Sequence, residues 1–397
     1  ELHKSDAGKR AYLLLDGVFN HTGDAHRWFA KYQYGKASNV AGAYQSQKSP
    51  FSSYYTFTQW PKKYATFLNV DSLPKLNYGS QKLKDAIYAK PNSVAVKYLK
   101  APFSIDGWRV DAPQYEDENG KQGTDKFNHM IWREFRQAVK SVNSQATVLG
   151  EYWQDASDWL RDGDQWDSVT NFDGFTQPVS RWIAGRNFDD RPDSIKASEF
   201  DLGLRLTRAH YPATVQQCLS NHLSNHDISR FAQRAGGDLR KVKLALIFQM
   251  TYLGVPTIYY GDEYGMEGGK DPDDRRTFDW SQVESKNSAI LLAHNLIALR
   301  NKYSALRSGT FISLNVDDAS NTYAFGRWDR SAKIAVALNG DAHPHEVEVS
   351  VRKMEVADGA KFSDAISGKS YTVKGGTVSV NLDAYSGAVL VFDAYSK

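Results

Sequence analysis

Ile105-Asp106-Gly107-Trp108-Arg109-Val110-Asp111 is the stretch on which the fold turns: a short apolar run that breaks off in a cation and a carboxylate. Arg109 precedes Asp111 by two residues, so on an extended strand both side chains leave from one side. The same design recurs along the chain. Tyr12-Leu13-Leu14-Leu15-Asp16, Thr147-Val148-Leu149-Gly150-Glu151 and Ser168-Val169-Thr170-Asn171-Phe172 are short apolar runs of this kind, and Leu219–Asp227 and Val255–Tyr260 are two more. Between them lie Phe127–Ser141, Arg240–Leu253 and Ser288–Tyr303, whose apolar residues recur at helical spacing. Alternating strands and helices imply a parallel sheet, and charged groups at the C-terminal ends of successive strands are where a barrel of such units places its chemistry. A doubly wound open sheet would gather them similarly, but it usually starts with a Gly-rich phosphate turn, which this sequence lacks.

Two regions depart from the rhythm. From His21 to about Leu76 runs an aromatic and polar insertion, too long for an ordinary connection, so residues 22–76 are expected to form a small subdomain over the site. After Ser304 the period switches to alternation, at Thr322–Trp328, Lys333–Asn339, Glu346–Val351, Thr377–Leu382 and Ala388–Phe392. The expected division is therefore a catalytic part over 1–303 and an antiparallel β-sandwich over 304–397.

Composition narrows the function. The 49 Lys and Arg nearly cancel the 46 Asp and Glu, which leaves no electrostatic footprint for nucleic acid or a membrane surface. No apolar run approaches the roughly 20 residues of a membrane helix. Cys218 is the one cysteine, so neither an intrachain disulfide nor a thiolate metal cluster can form. A surplus of Tyr (22) and Trp (10) suits stacking on sugar faces as well as a core.

Cleaving a glycosidic bond with retention needs an ionised carboxylate as nucleophile and a protonated carboxyl as acid, about 5–5.5 Å apart. Asp111 and Glu151 are separated by one helical segment, so they belong on neighbouring strands. Arg109 would keep Asp111 ionised, and Glu151, between Gly150 and the aromatic pair Tyr152-Trp153, is the better acid. Taken singly, a strand-end Asp also serves as a helix N-cap, and His21 and His226 also serve as core residues or metal ligands. The paired His spacings of a convincing zinc site are absent.

Asp16-Gly17-Val18-Phe19-Asn20-His21, Gly107-Trp108-Arg109-Val110-Asp111, Gly150-Glu151-Tyr152-Trp153 and Ser224-Asn225-His226-Asp227 resemble, in order, the four signature segments of the α-amylase family of glycoside hydrolases. Ser72-Leu73-Pro74-Lys75-Leu76-Asn77 and the stretch from Gly265 to Arg276 resemble its neopullulanase and cyclomaltodextrinase branch. The resemblance implies that Asp111 is the nucleophile, Glu151 the general acid/base and Asp227 the third carboxylate. It puts His21, Arg109 and His226 on the sugar at the point of cleavage, and Asp271 and Arg275 on the next glucose towards the non-reducing end. Gln114, Tyr115 and Trp153 would line the acceptor side.

The implied activity is retaining, endo-type hydrolysis of starch, pullulan and related α-glucans, in a secreted enzyme; a cytoplasmic one is the alternative. No cofactor is needed for the chemistry. Many members hold calcium between the first signature segment and the insertion, but no Asp or Glu occurs between Asp24 and Asp71, and Ala30, Gln33 and Gln45 stand where carboxylates could have been. A structural calcium elsewhere remains compatible. In the family the first signature segment lies on the third barrel strand. The fold expected is thus a (β/α)8 TIM barrel with strands 3–8 in this chain and strands 1–2 missing, so the partners are the α-glucan and an N-terminal part of the same protein.

Overall fold

A computed structural model describes residues 11–32, 39–285 and 287–393. It contains two compact units, Glu1–Tyr152 with Ala156–Thr170, and Trp153–Asp155 with Asn171–Lys397.

The first unit is organised by a parallel sheet of Leu14–Gly17, Gly107–Val110, Thr147–Gly150 and Ser168–Val169, in that order. These strands are apolar and short because each stops where its charged residue begins. Gly107 has to be glycine: a Cβ there would stand 2.1 Å from the Thr147 carbonyl oxygen of the next strand. The helix Asp125–Val142 starts where Thr124 accepts the Phe127 amide, and buries Ile131, Phe135 and Val139 at i, i+4 and i+8. Phe135 meets the rings of Phe19, Tyr88 and Trp132, and burying each such ring stabilises the unit by about 1.5–3 kcal/mol.

Between the first two strands the chain is mostly irregular, with one small hairpin, Phe57–Gln59 against Lys63–Tyr64. It folds about its own aromatic centre. Phe29 is fully buried, and its ring lies 4.8 Å from Tyr55 and 4.7 Å from Tyr64. The described part of the insertion thus has a buried aromatic centre of its own. Gln33 lies outside the described residues.

In the second unit, Ser220–His222 pairs in parallel with Val255–Thr257. Six parallel strands are therefore present among the described residues, the number read from sequence, but several are shorter than expected. Leu219–Asp227 keeps only three strand residues, because the Leu223 carbonyl is taken by Arg234 and Ser224 turns to Asp262. Ser168–Phe172 keeps two, because the chain coils into a helical turn at Phe172. The helix Leu239–Thr251 is buried on nearly every side from Val242 onward, and two arginines satisfy the carbonyls at and beyond its C-terminus. Arg300 donates to Met250 and Tyr252 oxygens (2.9 and 3.2 Å), and Arg327 to Thr251 (2.8 Å).

The C-terminal region holds a six-stranded antiparallel sheet and a two-stranded one, His345–Ser350 with Thr377–Leu382. In Ala332–Asn339 alternation sorts the faces: Ile334, Val336 and Leu338 join the helices' core, while Ala335 and Ala337 join Val347, Val349, Val378, Val380 and Leu390. Ser304–Ser308 is still helical, and the first strand is Thr310–Asp317. Alternation fails in that strand because a bulge between Ser313 and Asn315 shifts its register. No helix among the described residues is long and apolar enough to cross a membrane.

Candidate active site

Parallel register assembles the first cluster. Asp16 stands opposite Arg109, and Val110 opposite Gly150. One residue further, the Asp111 amide donates to the Gly17 carbonyl (3.2 Å) and the Glu151 amide to that of Val110 (3.0 Å). Asp111 and Glu151 therefore leave neighbouring strands at the same level.

Arg109 sits between them. Its Nη1 lies 2.8 Å from Asp16 Oδ1 and 2.7 Å from Asp111 Oδ1, and its Nη2 lies 3.0 Å from Glu151 Oε2. Burial by itself would lower the guanidinium pKa, but Glu151, Asp16 and Asp111 outweigh burial and raise it, so the cation is permanent. The sequence reading set Arg109 beside Asp111, and the structure adds Asp16 and Glu151: one guanidinium serves three carboxylates, a task that needs its planar fork. Glu151 Oε2 also accepts the Ala112 amide at 3.1 Å, which the left-handed turn at Ala112 (φ 42°) aims at it. The two carboxyls differ in burial: the Glu151 side chain is 8% exposed and that of Asp111 21%.

His21 is half-buried, stacks on Phe67 at 4.7 Å and keeps a buried Nδ1 without a hydrogen-bond partner. Its pKa is lowered, chiefly by burial, with Asp111 pulling it up and Lys75 pushing it down. Gln114 and Tyr115 occupy the turn Pro113–Tyr115 just past Asp111; Tyr115 meets Phe67 edge-on at 5.9 Å.

A second cluster follows the strand Ser220–His222. His226 Nε2 lies 3.4 Å from Asp227 Oδ2. Arg275 joins two carboxylates, with Nε 2.6 Å from Asp271 Oδ1 and Nη2 3.6 Å from Asp227 Oδ1. Asp227, Asp271 and Arg275 are exposed. In this unit Trp153 stacks one face on Phe172 (4.0 Å, 9°).

Sequence reasoning missed the groups beneath these side chains. Ser224 Oγ donates to buried Asp262 (2.8 Å) and accepts the Phe231 amide (2.8 Å), so the Ser224–Asp227 loop rests on it. Burial pushes the Asp262 carboxyl up to about 7, against the Ser224 hydrogen bond and the charges of Arg230 and Arg234. In the first unit, Lys75, Glu116 and Asp117 are nearly or fully buried. The one signal for Lys75 was a charge set inside the apolar Leu73–Leu76.

No group of three or more His, Cys, Asp or Glu that could hold a metal ion occurs among the described residues, and the charged side chain set within Leu73–Leu76 is the cation Lys75.

Comparison with known proteins adds independent evidence. Residues 1–309 match the family model described as "Alpha amylase, catalytic domain". The chain is 35% identical over 380 residues to neopullulanase 2 of Thermoactinomyces vulgaris, covering 95% of this chain and 59% of that protein. It is 32% identical over 379 residues to a cyclomaltodextrinase of Geobacillus thermopakistaniensis, covering 94% and 58%. The chain thus spans less than two thirds of the length of these relatives. Among solved structures, a cyclomaltodextrinase matches with a TM-score of 0.78 at 30% identity, over 96% of this chain and 60% of that one. The Nostoc punctiforme debranching enzyme matches with a TM-score of 0.77 at 28% identity, over 96% and 76%.

Proposed function

The chain belongs to the α-amylase family of glycoside hydrolases, and on that premise we propose that it cleaves α-glucosidic bonds within starch, pullulan and related α-glucans, with retention of configuration. An Asp111 carboxylate oxygen attacks the anomeric carbon as the glycosidic C–O bond breaks, and Glu151 gives its proton to the leaving oxygen. Water then attacks the same carbon, Glu151 takes a proton from it, and Asp111 is released. By family resemblance, Asp227 is assigned the hydroxyls of the reacting sugar, His21, Arg109 and His226 the sugar at the point of cleavage, Asp271 and Arg275 the next glucose, and Gln114, Tyr115 and Trp153 the acceptor side. No step uses a metal ion.

The observation that carries this reading is Arg109, whose two terminal nitrogens hold Asp111 and Glu151 on adjacent strands. Retention needs the two carboxyls about 5–5.5 Å apart, and two acids on adjacent strands sharing one guanidinium support that reading over a wider, inverting arrangement. NMR of the first-formed sugar tests it. The α-anomer is expected, and a β-anomer would overturn the assignment. Polymeric substrates too large to cross a membrane support a secreted enzyme.

The finer reading of the fold is also a proposal. Tyr12 (72%) and Leu14 are exposed beside the edge strand Leu14–Gly17, and Val255 (49%) is exposed on Val255–Thr257. We infer that two further parallel strands cover these edges. Co-expression with a segment supplying them is expected to raise the yield of soluble, active protein; no gain would count against it.

A further inference from the structure

We propose that Arg230 is a positioning residue: it sets where the loop carrying Asp271 and Arg275 stands relative to Asp227. It thereby sets how strongly the enzyme favours a substrate with two glucoses on the non-reducing side of the cleaved bond over a substrate with one. This rests on the reading of Asp271 and Arg275 as the groups that hold the next glucose.

Arg230 follows Asp227 by three residues, and both its backbone and its side chain reach the loop. Its amide donates to Gly268 O (2.9 Å) and its Nε to Asp274 O (2.7 Å), so the loop is held before Asp271 and again just before Arg275. A third bond, from Nη1 to Tyr260 O (2.6 Å), ties the same side chain to the segment that leads into the loop. Tyr260 completes the attachment through its hydroxyl, which donates to Arg276 O (2.9 Å) at the loop's far end.

The side chain is fully buried, and its aim is fixed. The guanidinium carbon lies over the rings of Tyr259 and Tyr260, 4.3 and 4.7 Å from their centres, and Asp262 Oδ1 is 3.7 Å from Nη1. A planar cation packed on two aromatic faces points its donors in set directions.

Within the loop the bonds are local. Asp273 Oδ2 accepts the Gly269 amide (2.7 Å), the two Asp273 oxygens accept Arg276 Nε and Nη2 (2.7 Å each), and the Asp273 amide donates to Lys270 O (2.9 Å). These bonds give the loop its shape, and Arg230 gives it its place. At Gly268, where Arg230 grips it, a Cβ would stand 2.7 Å from Asp273 O, so the two held ends pack directly on each other.

Placement matters for the sugar. Arg275 Nε is 2.6 Å from Asp271 Oδ1, which makes those two groups a unit, but Arg275 Nη2 is 3.6 Å from Asp227 Oδ1, beyond a hydrogen bond. The spacing between that unit and Asp227 is therefore set by the backbone that carries it. Consecutive glucoses have a fixed repeat, so a displaced loop meets the second sugar badly while Asp227 still meets the first.

The test compares kcat/KM on α-maltosyl fluoride, which supplies two glucoses, with that on α-glucosyl fluoride, which supplies one, in the whole protein. Arg230→Met keeps the stem and the backbone bond and removes the side-chain bonds. It should lower the maltosyl-to-glucosyl ratio by about 10–100-fold, the scale of a misplacement of about 1 Å, with KM for maltosyl fluoride rising more than kcat falls. Arg230→Lys keeps the charge, but one ammonium cannot present the planar donors that meet both Asp274 and Tyr260 carbonyls, so it should lower the ratio as well. Equal losses on both fluorides, the mark of a merely structural role, would overturn the proposal. Should Arg230→Met fail to fold, Arg230→Lys decides: a lowered ratio supports the positioning, and a wild-type ratio refutes it. Arg275→Ala separates the two claims. A wild-type ratio there would sink the reading of Asp271 and Arg275 and the inference with it, whereas a lowered ratio there beside wild-type ratios in the Arg230 variants would sink the positioning alone.

Discussion

The parallel sheet of the first unit and the antiparallel sheets of the C-terminal region spend the same alphabet differently. Parallel strands of two to four residues end in Asp16, Asp111 and Glu151, and around them Asn20, His21, Gln114 and Glu116 keep buried polar atoms without hydrogen-bond partners. The C-terminal strands run to eight residues, bury their apolar positions and settle their polar groups at turns. Asp364, for instance, accepts the amides of Ile366, Ser367 and Val389. An unpaired buried polar group costs about 1–3 kcal/mol, so a site is recognisable as the place where a fold tolerates that cost. The comparison teaches that stability and chemistry are carried by different parts of this chain, and it can be tested by damaging each.

The largest effect is expected at the strand ends. Asp111→Asn should lower kcat/KM by ~10⁴-fold or more, on the scale of losing a nucleophile. Glu151→Gln should lower it by about 10²–10⁴-fold while leaving oligosaccharide binding intact. Steady-state kinetics on unactivated glucans measures both, and activity above a few per cent of wild type in either would break the assignment.

Arg109→Leu strikes the point where chemistry and stability meet. Three carboxylates would lose their shared cation, so besides losing activity the protein should be destabilised by about 3–5 kcal/mol. Arg109→Lys should not rescue activity, because one ammonium cannot present a planar two-nitrogen fork. Denaturant unfolding beside the kinetics checks this; a fully active lysine variant would show that charge alone suffices.

Leu390→Ala hollows the core between the C-terminal sheets and should cost about 2–5 kcal/mol. Its pH–activity profile should stay that of wild type at temperatures where the fold is intact, and a displaced profile would break the separation of roles.

Asp262→Asn gives the finest distinction. The folded carboxyl titrates near 7, above its ordinary 3.8, so its favourable contribution is fully present below about pH 3.8 and is lost as pH rises through 7. Between pH 5 and pH 8 the variant should therefore gain about 2–3 kcal/mol relative to wild type. Parallel pH dependences of the two proteins would refute the raised carboxyl.

Much of this was legible in the sequence. The helices Asp125–Val142, Leu239–Thr251 and Ser288–Lys302 lie within two residues of their apolar patterns, because a period of 3.6 survives whatever it packs against. Asp111 and Glu151 could be paired because one helical segment between two strands leaves them adjacent. The strand ends were less readable. Leu223–Asp227 was read as part of one strand segment from Leu219, yet Arg234 and Asp262, partners 11 and 38 positions along the chain, hold it out of the ladder. Lys75 with Glu116 was invisible for the same reason, since 41 positions separate residues that share one interior.

Local periodicity and the order of charged residues thus determined the strand–helix alternation, the switch to antiparallel strands and the pairing of Asp111 with Glu151, because each depends on neighbours a few positions apart. Tertiary structure alone decided who shares Arg109, what supports His21 and which carboxyls lie buried. Electrostatic environment is a property of three-dimensional distance and desolvation, and neither can be read along one dimension.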